Sequence, residues 1–74
     1  MTSLELIQKW SMAKGRPRGA LLTCPDMADI LRVSRPQAYA MASSGMIRSV
    51  RIGRSVRITP EALAELIDAG ERNA

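Results

Sequence analysis

Four stretches of the chain repeat apolar residues at helical spacing, and one alternates them at the period of a strand. Leu6, Ile7, Trp10 and Ala13 form the first stripe. Ser3 is placed to cap it and Glu5 lies near its positive end, which predicts a short amphipathic helix over residues 4–13. Lys14-Gly15-Arg16-Pro17-Arg18-Gly19 cannot continue that helix, because two glycines and a proline interrupt it, and it reads as a basic linker. Thr23 caps the next helix: Pro25 is tolerated only in a first turn, Asp26 stands in the place of a capping-box acid, and Met27, Ile30 and Leu31 mark a buried face. Ser34 caps again, with Gln37 completing a Ser-x-x-Gln box, so two helices meet across about three residues, the spacing of a helix-turn-helix. The second of them, residues 35–44, buries Ala38, Met41 and Ala42 and stops at Gly45, with Met46 folding back towards Met41. Its other face holds Arg35, Gln37, Ala40 and Ser43. Thr59-Pro60-Glu61 opens a last helix, with Leu63, Leu66 and Ile67 on one side and a stop at Gly70.

Between the last two helices, Val50-Arg51-Ile52-Gly53-Arg54-Ser55-Val56-Arg57-Ile58 reads as two short strands and a turn. A two-residue loop at Gly53-Arg54 pairs Ile52 with Ser55 and Val50 with Arg57, which scatters the apolar residues over both faces. A three-residue loop at Gly53-Arg54-Ser55 pairs Ile52 with Val56 and Val50 with Ile58, and this consistent core face makes it the predicted register. It sets Arg51 opposite Arg57, with Arg54 at the tip, and like charges so placed destabilise a pair by about a few tenths of a kcal/mol. A polyanion lying on that face reverses the sign, since each guanidinium can hold a phosphate and each neutralised phosphate releases counterions. For an isolated arginine pair, a solvated basic face is the simpler reading. The adjacent helix-turn-helix favours the polyanion.

The predicted fold is mainly α with a small antiparallel β-hairpin, a winged helix-turn-helix. Residues 1–19 are expected to form the amphipathic helix and basic linker, 20–70 the winged domain and 71–74 a tail. At 74 residues, the chain has room for one core and not for a deep catalytic cleft, since so short a chain buries only about 60% of the surface its unfolded form exposes. The apolar fraction of 46%, with one Trp, one Tyr and no Phe, makes that core aliphatic.

Eleven Lys and Arg against seven Asp and Glu give a net charge of +4, and the isoelectric point near 10.2 suits a nucleic-acid partner. No acid lies between Asp29 and Glu61, where Arg32, Arg35, Arg48, Arg51, Arg54 and Arg57 all fall. Neither a nucleophile–base pair, a metal set nor a phosphate loop is present, so no enzyme, metal or cofactor is expected. With a single cysteine and no histidine, an intrachain disulfide and the usual zinc ligand sets are excluded, and a reducing cytoplasm suits the composition. No apolar run has the length of a membrane span and the N-terminus lacks the order of a signal peptide, so no membrane partner and no processing are expected.

Some residues admit two readings. Gly15-Arg16-Pro17-Arg18-Gly19 is either a flexible linker or, with Lys14, a basic arm for a narrow minor groove, similar to the core of an AT-hook. Cys24 opens a helix, whose dipole can lower a thiol pKa, but no histidine is present to activate it. Tyr39 either donates its hydroxyl to a phosphate or fills the core. The stripe Leu6, Ile7 and Trp10 docks either on the same subunit or on a neighbouring copy, in which case subunits repeat head to tail.

The ordered set Leu21-Leu22-Thr23, Val33-Ser34-Arg35, Tyr39, Gly45, Val50-Arg51-Ile52-Gly53-Arg54, Val56-Arg57-Ile58 and Leu63 resembles the small winged helix-turn-helix domains of phage excisionases. These are also called recombination directionality factors, and they are related to the DNA-binding heads of MerR-type regulators. The resemblance runs from about Leu21 to Ile67. It implies a second helix in the major groove, with Ser34, Arg35, Gln37, Tyr39, Ala40 and Ser43 facing DNA, and a wing carrying Arg51, Arg54, Ser55 and Arg57 along the backbone. It further implies a cytoplasmic, phage-encoded protein that binds neighbouring sites in an attachment region in several copies, bends double-stranded DNA and biases a phage integrase towards excision. A full MerR-type regulator, with its long coiled coil, is not expected at this length. At Ala40 related sequences often carry a long polar or basic residue, so Arg35 and Gln37 remain as readers of guanine and adenine. Affinity is then expected to lean on phosphates, and specificity partly on DNA deformability. The other readings are a small winged-helix transcriptional regulator and a protein-interaction adaptor.

Overall fold

The first helix, α1 (Ser3–Ala13), is opened by Thr2 rather than by the expected Ser3. The computed structural model describes residues 1–73. In it the Thr2 hydroxyl accepts the Glu5 N–H at 3.1 Å, and the Glu5 carboxylate accepts the Thr2 N–H at 3.2 Å. That bond from the Thr2 backbone is the main reason the Glu5 carboxyl sits below its ordinary pKa. Ser3 is released from capping and donates instead to Asp68 at 2.6 Å. The helix ends in a Schellman motif: Gly15, at φ 77°, donates to the Met12 carbonyl and Arg16 donates to that of Ser11, each at 3.0 Å. This turn sends the basic linker back across the face of α1.

Helices α2 (Cys24–Leu31) and α3 (Arg35–Ser43) form the helix-turn-helix. Thr23 and Asp26 make the expected reciprocal capping box, at 3.1 and 3.0 Å. At α3, Ser34 accepts the Gln37 N–H at 3.2 Å, and only this half of the expected box is formed. Gly45, at φ 81°, follows the end of α3. The last helix, α4 (Pro60–Asn73), is capped by Thr59, whose hydroxyl accepts the Ala62 N–H at 3.0 Å. It runs through Gly70, which was expected to stop it. A glycine in a helix interior costs only about 1 kcal/mol relative to alanine, and the tertiary contacts of α4 with α1 act along the same helix. Residues 71–73 of the expected tail are therefore helical, and Ala74 lies outside the described residues.

The hairpin departs from expectation. Strands β1 (Val50–Ile52) and β2 (Ser55–Arg57) pair Val50 with Arg57, Arg51 with Val56 and Ile52 with Ser55, the two-residue register. Gly53, at φ 60°, takes the first central position of the turn, where a type II′ hairpin requires a glycine. The competing force comes from far away in sequence. Ile58 pairs with Leu22 through two backbone hydrogen bonds of 2.7 and 2.8 Å, and both side chains are fully buried. Ile58 is thereby withdrawn from Val50 and set into the core. Val50 and Ile52, expected inside, are 43% and 56% exposed. Residues directly opposite in a sheet share a face, so Arg51 lies with Val56 and Arg57 with Val50. The expected repulsion of Arg51 by Arg57 does not arise.

The core is aliphatic, as expected. Ile7, Leu22, Met27, Ala38, Ile47, Ile58, Ala62 and Leu63 are buried around Cys24, with Trp10, Met41, Val56, Leu66 and Ile67 packed on it. It draws on all four helices and the strand end, and α1 contributes to it through Ile7. The first helix thus docks on α4 of its own chain. Among the described residues no helix is long and apolar enough to cross a membrane.

Candidate nucleic-acid interface

Helix α3 is held from behind by Ala38, which is fully buried, and presents Arg35, Gln37, Tyr39, Ala40 and Ser43 to solvent. The short side chains of Ala40 and Ser43 leave the backbone of α3 open at those positions. Ser34 is committed to the cap. Ser43 donates its hydroxyl to the Ala40 carbonyl at 3.3 Å.

The wing lies beside the C-terminal half of this helix. Tyr39, Ala40 and Ser43 share a recess of about 230 Å³ with Arg51 and Val56. On its other side Tyr39 lines a second recess, of about 340 Å³, with Arg54, Ser55 and Arg57. The tyrosine is 54% exposed, so it stands at the seam between helix and wing and does not fill the core. Arg57 is half-buried and donates to the Val56 carbonyl at 3.0 Å, which holds its guanidinium on the open edge of β2. The predicted recognition-helix and wing residues are therefore contiguous, although the register that joins them differs from the expected one.

The ion pairs among the described residues lie off this face. Arg16 pairs with Asp26 at 2.7 Å, Arg48 with Glu65 at 2.7 Å, and Lys14 approaches Asp29 at 4.0 Å. Arg35, Arg51, Arg54 and Arg57 have no carboxylate within ion-pair distance among the described residues. Acids are kept away from the surface where α3 meets the wing, and the positive charge there is uncompensated. Such a surface attracts a polyanion over several ångströms before contact.

The arm residues are placed elsewhere. Lys14 and Arg16 lie over the Trp10 ring at 5.6 and 5.3 Å from its centroid, and the indole N–H donates to Asp29 at 2.9 Å. Burial pushes the Asp26 carboxyl up, but the hydrogen bonds from the Thr23 N–H and from Arg16 prevail and hold it below its ordinary pKa. Arg18 is exposed and joins none of these contacts. Of the apolar stripe, Ile7 is buried, Trp10 is half-buried and Leu6 remains 56% exposed. Cys24 is buried, which raises its thiol pKa, with Arg57 opposing more weakly. The activating effect expected of its helix position is overridden by desolvation. Sequence reasoning missed Arg32, which occupies the turn between α2 and α3 at φ 59°; its place in a three-residue helix-turn-helix linker was the available signal.

A helix-turn-helix with a β-wing and an acid-free basic face defines a DNA-binding domain. A family model described as "Helix-turn-helix domain" matches residues 21–71, and the chain belongs to that family. It is a DNA-binding helix-turn-helix domain. Two proteins from strains of Mycobacterium tuberculosis, each named a "Putative DNA-binding protein", are 33% identical over 48 residues, covering 65% of this chain and 62% of theirs. A "Probable excisionase" of Saccharopolyspora erythraea is 43% identical over 51 residues, covering 69% of this chain and 52% of its own. The chain thus spans between about half and two thirds of the length of these curated relatives. No solved structure matches it significantly.

Proposed function

We propose that this protein is an architectural factor of the excisionase kind. It binds neighbouring sites in an attachment region cooperatively, bends the DNA and directs an integrase towards excision. The observation that carries the reading is the balance of the candidate interface: four arginines of α3 and the wing have no acid partner among the described residues, while α3 offers only Arg35 and Gln37 as long polar side chains for base edges. Binding dominated by phosphate contacts draws its sequence preference from how readily the duplex deforms. The 43% identity to a protein named as an excisionase points the same way. Copies on adjacent sites meet through faces outside the DNA surface, where Leu6 is the exposed member of the first helical stripe.

A circular-permutation gel shift on a duplex carrying tandem sites tests this. Mobility that depends on the position of the sites, together with a second copy binding more tightly than the first, is expected. Position-independent mobility would show a DNA binder that does not bend its site and would reject the architectural role.

A further inference from the structure

Arg32 is the only non-glycine residue with positive φ among the described residues, at φ 59° and ψ 45°. Glycine adopts this left-handed conformation freely, whereas an L side chain crowds the following carbonyl. The turn itself does not require arginine: the Arg32 N–H and the Val33 N–H, the latter at 3.0 Å, both donate to the Ala28 carbonyl, backbone bonds that involve no side chain at 32. The side chain is exposed and makes no hydrogen bond or ion pair among the described residues. Strain carried by an arginine where glycine would close the same turn points to an external partner for the side chain.

The surroundings indicate which partner. Arg32 lines a recess of about 540 Å³ at the N-terminal end of α3, together with Arg35, Lys14, Arg16, Asp26 and Asp29. Both carboxylates are already engaged. Asp26 accepts from Arg16 at 2.7 Å and from the Thr23 N–H at 3.0 Å, while Asp29 accepts from the Trp10 indole at 2.9 Å. The folded-back linker thus supplies internal counter-ions to the acids of α2, and the recess keeps an excess of positive charge beside the start of the recognition helix. The wing lies against the other end of that helix.

We propose that Arg32 is a DNA-phosphate contact on the flank of α3 away from the wing, so that the domain grips the duplex backbone on both sides of the groove that α3 enters. This rests on DNA docking along α3. The test is Arg32→Gly, measured by thermal unfolding and by fluorescence anisotropy with a mixed-sequence duplex across a salt series. Relief of the left-handed strain raises Tm by on the order of 3 °C. Loss of one phosphate contact weakens binding about three- to tenfold at about 0.1 M salt and lowers the slope of log K against log salt by about 0.9. Arg32→Asn, which tolerates the same conformation without charge, behaves like the glycine variant in binding, and Arg32→Lys retains the slope. A substitution that stabilises the fold while weakening DNA binding is the signature of strain retained for contact. Wild-type affinity and slope in Arg32→Gly would overturn the proposal, provided that Arg35→Ala shifts the slope in parallel. A wild-type slope in both variants overturns docking along α3 itself.

Discussion

Replacing Arg51, Arg54 and Arg57 together by alanine is expected to weaken binding to a mixed-sequence duplex by about 10²–10³-fold at about 0.1 M salt, and to lower the salt slope by about 2–3. The magnitude follows from counterion release, in which each neutralised phosphate contributes a slope of about 0.9 for B-form DNA. The three residues reach the backbone from different positions in the hairpin. Arg51 stands on the face towards α3, Arg54 is in the turn, and Arg57 is held on the edge of β2 by its bond to the Val56 carbonyl. None pairs with an acid among the described residues, so their removal leaves no carboxylate unpaired and the circular dichroism spectrum should not change. Anisotropy titrations at several salt concentrations measure the effect. An unchanged slope would place the phosphate contacts elsewhere on the molecule.

The second large effect concerns the fold. Leu63 is fully buried where α4 meets the rest of the core, and Leu63→Ala should destabilise the domain by about 2–5 kcal/mol, the usual cost of lost transfer free energy and the remaining cavity. Domains have only about 5–15 kcal/mol in total, and a chain of this size belongs near the lower end. Chemical denaturation should therefore show a large fall in midpoint, and the melting temperature should drop by more than about 10 °C. The variant should still bind DNA at low temperature with a wild-type salt slope, since Leu63 is fully buried and offers no side chain to a partner. A loss of binding without a loss of stability would contradict that separation.

These two experiments address features of unequal legibility. The boundaries of the helix-turn-helix could be read directly, because Thr23 with Asp26 and Ser34 with Gln37 are local signals whose chemistry acts within one turn. The wing register could not. Alternation within the hairpin favours placing Val50 opposite Ile58, and the competing pairing of Ile58 with Leu22 joins segments 36 residues apart. Nothing inside the hairpin signals it. The linker is a similar case: its composition reads as flexible and basic, but Arg16 finds Asp26 and the Trp10 ring only once α1 and α2 are packed together. The start of α1 was legible in principle, since Thr2 and Glu5 have capping-box spacing and Ser3 has no acid in that position.

The corrected register changes why the wing is basic without changing where its charge lies. Arg51 and Arg57 no longer face one another across the strands, so there is no internal repulsion for DNA to relieve. What remains is a surface from which acids are absent, flanked by regions in which Lys14, Arg16 and Arg48 are each matched by a carboxylate. Lys9 and Arg18 are also unpaired among the described residues. It is therefore the clustering of Arg35, Arg51, Arg54 and Arg57 on α3 and the wing, rather than the lack of a partner alone, that supports a DNA-facing side there.

The most direct measurement of that assignment is an NMR titration of the ¹⁵N-labelled protein with a mixed-sequence duplex, following the backbone amides. The account predicts the largest shift changes at residues 32–43 and 50–57, with small changes on the outer faces of α1 and α4. Perturbations concentrated on α1 and α4, with the wing and α3 unaffected, would contradict it.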